Sequence, residues 1–274
     1  MPTSALVLAL AAAFVHALWN LLLARARNPE AATAVALVVA VVVFAPVAAA
    51  VWDVDGRVWP FVVGSAAFEL LYFALLAGAY RRAHLSVVYP IARGTAPVLV
   101  LVIGVVVLGA ETSWGQALGV LFVAGGVLLV RGARVRAGAP ELLFGLPIAG
   151  CIATYTLIDK HGIRYATPLV YLELSMMVPA LVYAAAVGAM QGRQALRAET
   201  NASSFVAGLA TFGAYALVLA ALQRASAASV AAVRETSVVI ATALAAVVLK
   251  EPVGPPRLAG AVLVAGGVAL ISLT

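Results

Sequence analysis

Charged side chains are scarce in this sequence. Asp, Glu, Lys and Arg make up 10% of its 274 residues, where soluble domains carry about 25%. Hydrophobic residues make up 65%, so an ordinary water-soluble enzyme is excluded. Cysteine is nearly absent: Cys151 stands alone, ruling out an intramolecular disulfide, a thiolate cluster or a CxxC pair. The three histidines, His16, His84 and His161, have no HExxH or Cys/His spacing, so no metal or cofactor is implied. Neither a sheet-like alternation nor a low-complexity linker is present, and the longest polar breaks are short, at 131–140 and 191–204. A tethered soluble catalyst or receptor domain therefore has no room.

What the chain has instead is apolar runs. A bilayer-spanning helix needs about 20 mostly apolar residues, and windows bounded by charge, Pro or Gly predict ten: 4–24, 31–52, 60–80, 86–109, 114–130, 141–158, 168–190, 205–223, 226–249 and 257–273. The second run holds no charged residue at all. No Lys or Arg precedes the first run, which continues past residue 20, so it is expected to be a retained span rather than a cleaved signal. The formal charge is +6, from 17 cations and 11 anions. All the cations except Arg93 and Arg234 fall in the breaks, where they meet membrane lipid headgroups and set orientation, so no nucleic acid partner is implied.

The sequence repeats itself. Residues 61–77 align on 205–221 with seven identities in 17, and 119–127 align on 260–268 with six in nine. The offsets, 144 and 141, agree, and Arg93-x-Thr95 falls on Arg234-x-Thr236. The expected fold is an all-α integral membrane protein of ten transmembrane helices, in two five-helix repeats covering 1–137 and 138–274. Because five is odd, the halves enter the membrane from opposite sides, a plan in which a midplane site is opened alternately.

Three stretches carry a resemblance to a known family: His16 to Asn20 (HALWN), Leu85 to Leu128 (LSVVYPIARGTAPVLVLVIGVVVLGAETSWGQALGVLFVAGGVL) and Ala225 to Leu270 (ASAASVAAVRETSVVIATALAAVVLKEPVGPPRLAGAVLVAGGVAL). They resemble the EamA-type branch of the drug/metabolite transporter superfamily. The shared features are an acidic residue after the fourth span of each half (Glu111, Glu251), a Gly-rich fifth span and an aromatic residue late in each first span (Trp19, Tyr155). The resemblance implies a secondary transporter, commonly an exporter of amino acids or other small metabolites, and names no substrate. One departure is the break Trp52 to Pro60, where many relatives look Lys/Arg-rich and this chain has two Asp and one Arg.

Intramembrane ionisable groups cost about 2.5 to 3.5 kcal/mol at a helix centre, so each needs a partner or a wet cavity. Glu69 lies eight residues into the third span, roughly 12 Å deep, with Tyr72 on its face. The repeat places Gly213 opposite Glu69, so the fold does not require the carboxylate. It serves either substrate and proton exchange or an interhelical hydrogen bond. His16, Trp19 and Asn20 share one helical face of the first span, and the aligned face of the second half is Ile152, Tyr155 and Thr156. His16 is either a satisfied core residue or a ligand contact.

Arg93 and Arg234, equivalent in the two halves, either hold the fold together or grip a substrate carboxylate or phosphate. Tyr89 stands one turn before Arg93, and Pro90, Gly94 and Pro97 are expected to loosen that span. Glu235 diverges from Arg234 by about 100°, so one is expected to face the cavity and the other a neighbouring helix. Glu173 reads as an interfacial carboxylate, and Asp159 as a contact for Lys160 or water. Gly119, Gly125, Gly126, Gly260, Gly266 and Gly267 suit close helix packing, within the chain or in a homodimer, and form no phosphate loop.

The leading functional expectation is a multi-pass carrier in the cell membrane that exports a small polar or zwitterionic metabolite by alternating access, in exchange for protons. The alternatives are a flippase for a lipid-linked group and a polytopic membrane enzyme. With the N-terminus inside, the outside breaks would hold eleven cations and the inside breaks four. The positive-inside rule thus puts both termini outside, whereas the family resemblance puts them in the cytoplasm.

Overall fold

The computed structural model describes residues 1–131, 138–248 and 254–274. Its helices are α1 (Thr3–Ala24), α2 (Pro29–Ala50), α3 (Trp59–Arg82), α4 (Leu85–Val106), α5 (Trp114–Arg131), α6 (Ala139–Gly162), α7 (Pro168–Gln191), α8 (Arg193–Ala198), α9 (Ala202–Leu222), α10 (Ala227–Arg234), α11 (Thr236–Val248) and α12 (Pro255–Leu273). Among the described residues, nine segments are long and apolar enough to cross a membrane. The 17-residue stretch Trp114–Val130 makes the tenth. Glu251 lies outside the described residues, as do Arg134, Arg136 and Lys250 of the charge count.

Proline places the helix starts. It stands in the first turn of α2, α3, α6, α7 and α12, where its missing N–H costs nothing and its fixed φ is already helical. Side chains cap three more orphan amides: Asn28 accepts from the Ala31 N–H at 3.1 Å, Asn201 from Ser204 at 3.1 Å and Ser226 from Ser229 at 3.3 Å. The outward faces are apolar, with Val106 76% and Val42 64% exposed. That is the surface a lipid solvent selects. Trp52, Trp59 and Trp114, at helix ends on one side of the bundle, are also exposed, as interfacial anchors are.

The two halves interlock by a pseudo-twofold. Helix α1 lies along α9 as α6 lies along α3; α4 packs on α6 as α10 and α11 pack on α1; α2 meets α7, and α5 meets α12. Exchange of the halves turns each pairing into its counterpart. The α5–α12 seam rests on glycine. A Cβ on Gly126 would stand 2.6 Å from the Gly260 carbonyl oxygen, and one on Gly119 would stand 2.7 Å from that of Gly267. The reverse contacts are equally tight. These four glycines, seven apart on each helix, therefore join the halves within one chain, whereas a Cβ on Gly125 or Gly266 would meet nothing within 4 Å.

Three expectations need correction. The ninth span is not continuous, because α10 stops at Arg234 and α11 begins at Thr236. Around Glu235 the chain makes tighter i to i+3 bonds, Glu235 N–H to Ala232 O and Val238 N–H to Glu235 O, both 3.0 Å. The fourth span, expected to loosen at its prolines, is one helix from Leu85 to Val106 with Pro90 and Pro97 inside it. The sixth span runs to Gly162, four residues beyond the expected end, and carries Asp159 into the bundle and His161 into its last turn.

Both described termini share one face of the bundle, where the Met1 ammonium donates to Ile271 O at 3.3 Å. This terminal face is tied shut. Val54 and Ala166 form an antiparallel bridge, the Asp55 N–H donates to Tyr165 O at 2.8 Å, and the Arg57 guanidinium sits 4.8 Å above the Tyr165 ring. The Arg57 side chain beside Asp55 pulls the Asp55 carboxyl down to about 2, so it remains an anion at physiological pH. Lys160 of α6 donates to Leu222 O at 2.5 Å and Ala225 O at 2.9 Å, at the end of α9. On the opposite, distal face, Asn28 donates to Glu199 and Gln191 and Gln191 to Glu30, fastening the start of α2 to α7 and α8. Nothing comparable spans the gap between α1 and α3 there among the described residues.

Candidate central cavity

A cavity of about 390 Å³ lies between the halves, walled by α1, α2, α3, α4, α6, α7, α9 and α10. Helices α5 and α12 take no part in the wall and clamp the bundle from outside. Pro29, Thr33 and Tyr80 mark the mouth on the distal face, Tyr80 being 37% exposed. Leu172, Phe212 and Val218 close the inner end and are buried. The size falls within the 300 to 1,000 Å³ typical of small-molecule sites.

Of the sequence candidates, His16, Trp19, Asn20, Glu69, Tyr72, Tyr89, Arg93, Tyr155 and Arg234 all line this cavity. Glu235 does not. It is fully buried behind the wall, with Oε2 3.0 Å from Arg93 Nε and Oε1 3.9 Å from Arg234 Nε. The helix break at Glu235 turns its carboxylate towards both guanidiniums, which a continuous helix would keep apart. One carboxylate thus bridges the equivalent arginines of the two halves. Two buried guanidiniums without it would leave an uncompensated charge costing several kcal/mol.

The two arginines differ in their surroundings. Arg93 is held on three sides: by Glu235, by His16 Nε2 at 3.2 Å from Nη2, and by the Tyr89 ring at 5.8 Å. An arginine only donates, so His16 faces it with a lone pair and is the neutral tautomer protonated on Nδ1. The His16 ring in turn meets Trp19 edge to face at 4.8 Å, and the Asn20 amide donates to His16 O at 3.0 Å. On the cavity wall, Arg93 Nε, Arg234 Nε and Trp19 Nε1 are buried N–H donors with no hydrogen-bond acceptor, although Arg93 Nε has the Glu235 carboxylate as an ion-pair partner at 3.0 Å and Arg234 Nε has it only at 3.9 Å. Buried donors in folded proteins are nearly always satisfied, so Arg234 and Trp19 are the donors most open to an acceptor.

Glu69 is 6% exposed on the α3 wall, with Asp159 and Arg234 as the charged groups acting on it. Asp159 departs from its expected role. It is fully buried behind the wall residue Tyr215, accepting from Tyr171 Oη at 2.9 Å on Oδ1 and from Tyr215 Oη at 2.5 Å on Oδ2. Lys160 points away to its two carbonyls. Glu173, expected at the interface, is 7% exposed with its Oε2 buried and unpartnered, because α7 turns that face into the bundle. His161 places Nδ1 2.8 Å from Leu157 O, and the described residues hold no cluster of metal-ligating side chains.

The sequence reading missed much of the wall, including Thr33, Phe73, Met176, Phe212 and Tyr215. Apolar and aromatic residues carry no mark that separates a cavity wall from a core. Tyr215 had one available signal, a lone phenol in an apolar run two residues beyond the position aligned with Glu69.

Inverted five-helix halves enclosing a polar midplane chamber, with a broken helix beside it, are the architecture of a membrane carrier. The family model of the EamA-like transporter family matches residues 3–132 and 140–273, one copy in each half, and the chain belongs to that family. It is accordingly a multi-pass membrane transporter of the drug/metabolite transporter type. No curated protein sequence matches the chain. Among solved structures, one described as "Crystal structure of protein" superposes with a TM-score of 0.77, covering 100% of this chain and 98% of that chain at 17% identity. This is a likeness of fold.

Proposed function

We propose that the protein exports a small zwitterionic metabolite, of the size and charge pattern of an amino acid, in exchange for protons. The observation that carries this reading is the set of unsatisfied groups on the cavity wall. Arg234 Nε and Trp19 Nε1 are donors awaiting an acceptor, and the Glu69 carboxyl shares their chamber. A carboxylate placed at Arg234 and an ammonium placed at Glu69 satisfy all three, each by a charge-assisted hydrogen bond. The aromatic walls, Tyr72, Tyr155 and Phe212 among them, take the apolar part of such a molecule. Arg93, paired with Glu235 at 3.0 Å and against His16 at 3.2 Å, acts as a support.

The direction follows from charge. Among the described residues the distal face carries the larger share of cations, and the positive-inside rule assigns that face to the cytoplasm. A cavity open there is the loading state of an exporter. Purified protein in liposomes, offered a panel of amino acids under an imposed pH gradient, is expected to move at least one of them faster with the gradient than without. Folded protein that moves none of a broad panel would overturn the proposal.

A further inference from the structure

Behind the inner end of the cavity, beyond the lining residue Tyr215, one carboxylate ties three helices together. Asp159 of α6 accepts from Tyr171 of α7 on one oxygen and from Tyr215 of α9 on the other, so it joins three helices. Ser65 of α3, also buried, faces the same cluster. The other charged or titratable groups facing Asp159 are Glu69 on α3, Tyr155 on α6 itself and Arg234 on α10.

Count the buried charges that act on one another around the two arginines, leaving aside Glu173, which has none of them as a charged neighbour, and Glu141 and Glu199 at the distal face. Glu69, Asp159 and Glu235 are three carboxylates, Arg93 and Arg234 are two guanidiniums, and His16 is neutral by its contact with Arg93. The set balances with one proton. Glu235 lies against both guanidiniums, so the proton belongs to Glu69 or to Asp159, since neighbouring carboxylates in a dry site do not both ionise readily.

We infer that Asp159 is the gate of the terminal face, closed while its carboxylate holds both tyrosines and loosened when that carboxylate takes up a proton. An ionised carboxylate offers acceptor sites on both oxygens. A neutral carboxyl bears its hydrogen on one of them, and the tyrosine facing that oxygen can keep the contact only by accepting, its own O–H turning elsewhere, as that of Tyr171 can to Phe61 O at 3.3 Å. Both contacts lose their charge assistance, about half their strength. An ammonium beside Glu69 holds Glu69 as the anion, which leaves Asp159 as the place for a proton taken up from water. A hydronium O–H bond breaks as the Asp159 O–H bond forms, and both struts between α6 and its neighbours lose their charge assistance. This trigger rests on the transport reading above; the strut itself does not.

The test needs no substrate. Leu222 is fully buried two turns beyond Tyr215 on α9, towards the terminal face. Leu222→Cys is placed in a Cys151→Ser background, and its maleimide labelling rate in detergent is divided by that of an exposed control, Ser203→Cys. Adding Asp159→Asn, whose amide accepts on one oxygen as the neutral acid does, is expected to raise this ratio at least tenfold at neutral pH. Without that substitution the ratio is expected to climb as pH falls, and with it the ratio is flat. A folded Asp159→Asn protein whose ratio matches the parent overturns the inference. If that variant does not fold, Tyr171→Phe and Tyr215→Phe, each removing one strut, decide in its place: a raised ratio in either supports the gate, and an unchanged ratio in both overturns it. Fast labelling in these variants alongside a failure to move any solute would remove the transport reading and leave the gate standing.

Discussion

Arg93 and Arg234 occupy equivalent positions in the two halves, yet their surroundings separate them. Arg93→Ala leaves Glu235 buried with only the more distant guanidinium for company. The expected cost is about 3 to 5 kcal/mol, the usual penalty for breaking a buried pair, read as a lower yield and an earlier melting point in detergent. Arg234→Gln is expected to fold and to raise KM for transport roughly 10- to 100-fold, the worth of one hydrogen bond to a charged group. Glu69→Gln is expected to leave expression intact and to make transport insensitive to the pH gradient; normal gradient-driven transport by that variant removes the proton role. The sequence showed that Glu69, His16 and the two arginines stand out, because an intramembrane polar group is conspicuous among apolar neighbours. It did not show which arginine lies closer to Glu235, since a carboxylate one residue away in sequence gains its direction only from the break in the helix.

At the scale of elements, the ten crossings were legible because lipid imposes a length and a composition on each. Their ends were less so. Asp159 looks terminal in the apolar profile, and only the further turn of α6, buried by α3 and α9, brings it inside. The break at Glu235 was illegible for another reason: the sequence there contains neither Pro nor Gly, while the prolines of α4 sit in an unbroken helix. Glycine was the more dependable guide. Gly126→Ala drives a Cβ to 2.6 Å from the Gly260 carbonyl oxygen, so α5 and α12 must separate, at a cost of roughly 1 to 3 kcal/mol. Gly125→Ala meets nothing within 4 Å and is expected to be neutral or stabilising by about 0.5 to 1 kcal/mol. Thermal unfolding of the two variants in one detergent checks the contrast, and equal melting points would show that the seam does not bear on stability.

For the whole molecule, duplication supplies a frame with twofold symmetry, and the charged groups break it. Glu69 aligns with Gly213, so the carboxylate side of the chamber has no counterpart across the pseudo-axis. In the proposed exchange the frame serves the opening of either face, and the asymmetric charges serve the two poles of the zwitterion. Orientation decides what opening means. The cation count predicts that a reporter fused after Thr274 reads as extracytoplasmic; a cytoplasmic reading reverses the direction of loading and makes the open state an outward-facing one. The central claim, that a single chamber is reached from each side in turn, is tested most directly at Thr211, a cavity residue on α9. Thr211→Cys in the Cys151→Ser background, in vesicles of known orientation, is exposed to a membrane-impermeant maleimide from one face at a time. Labelling from the distal face at rest, labelling from the terminal face during turnover, and protection from both by the transported solute are the expected results. Labelling from the distal face alone under every condition would contradict the account.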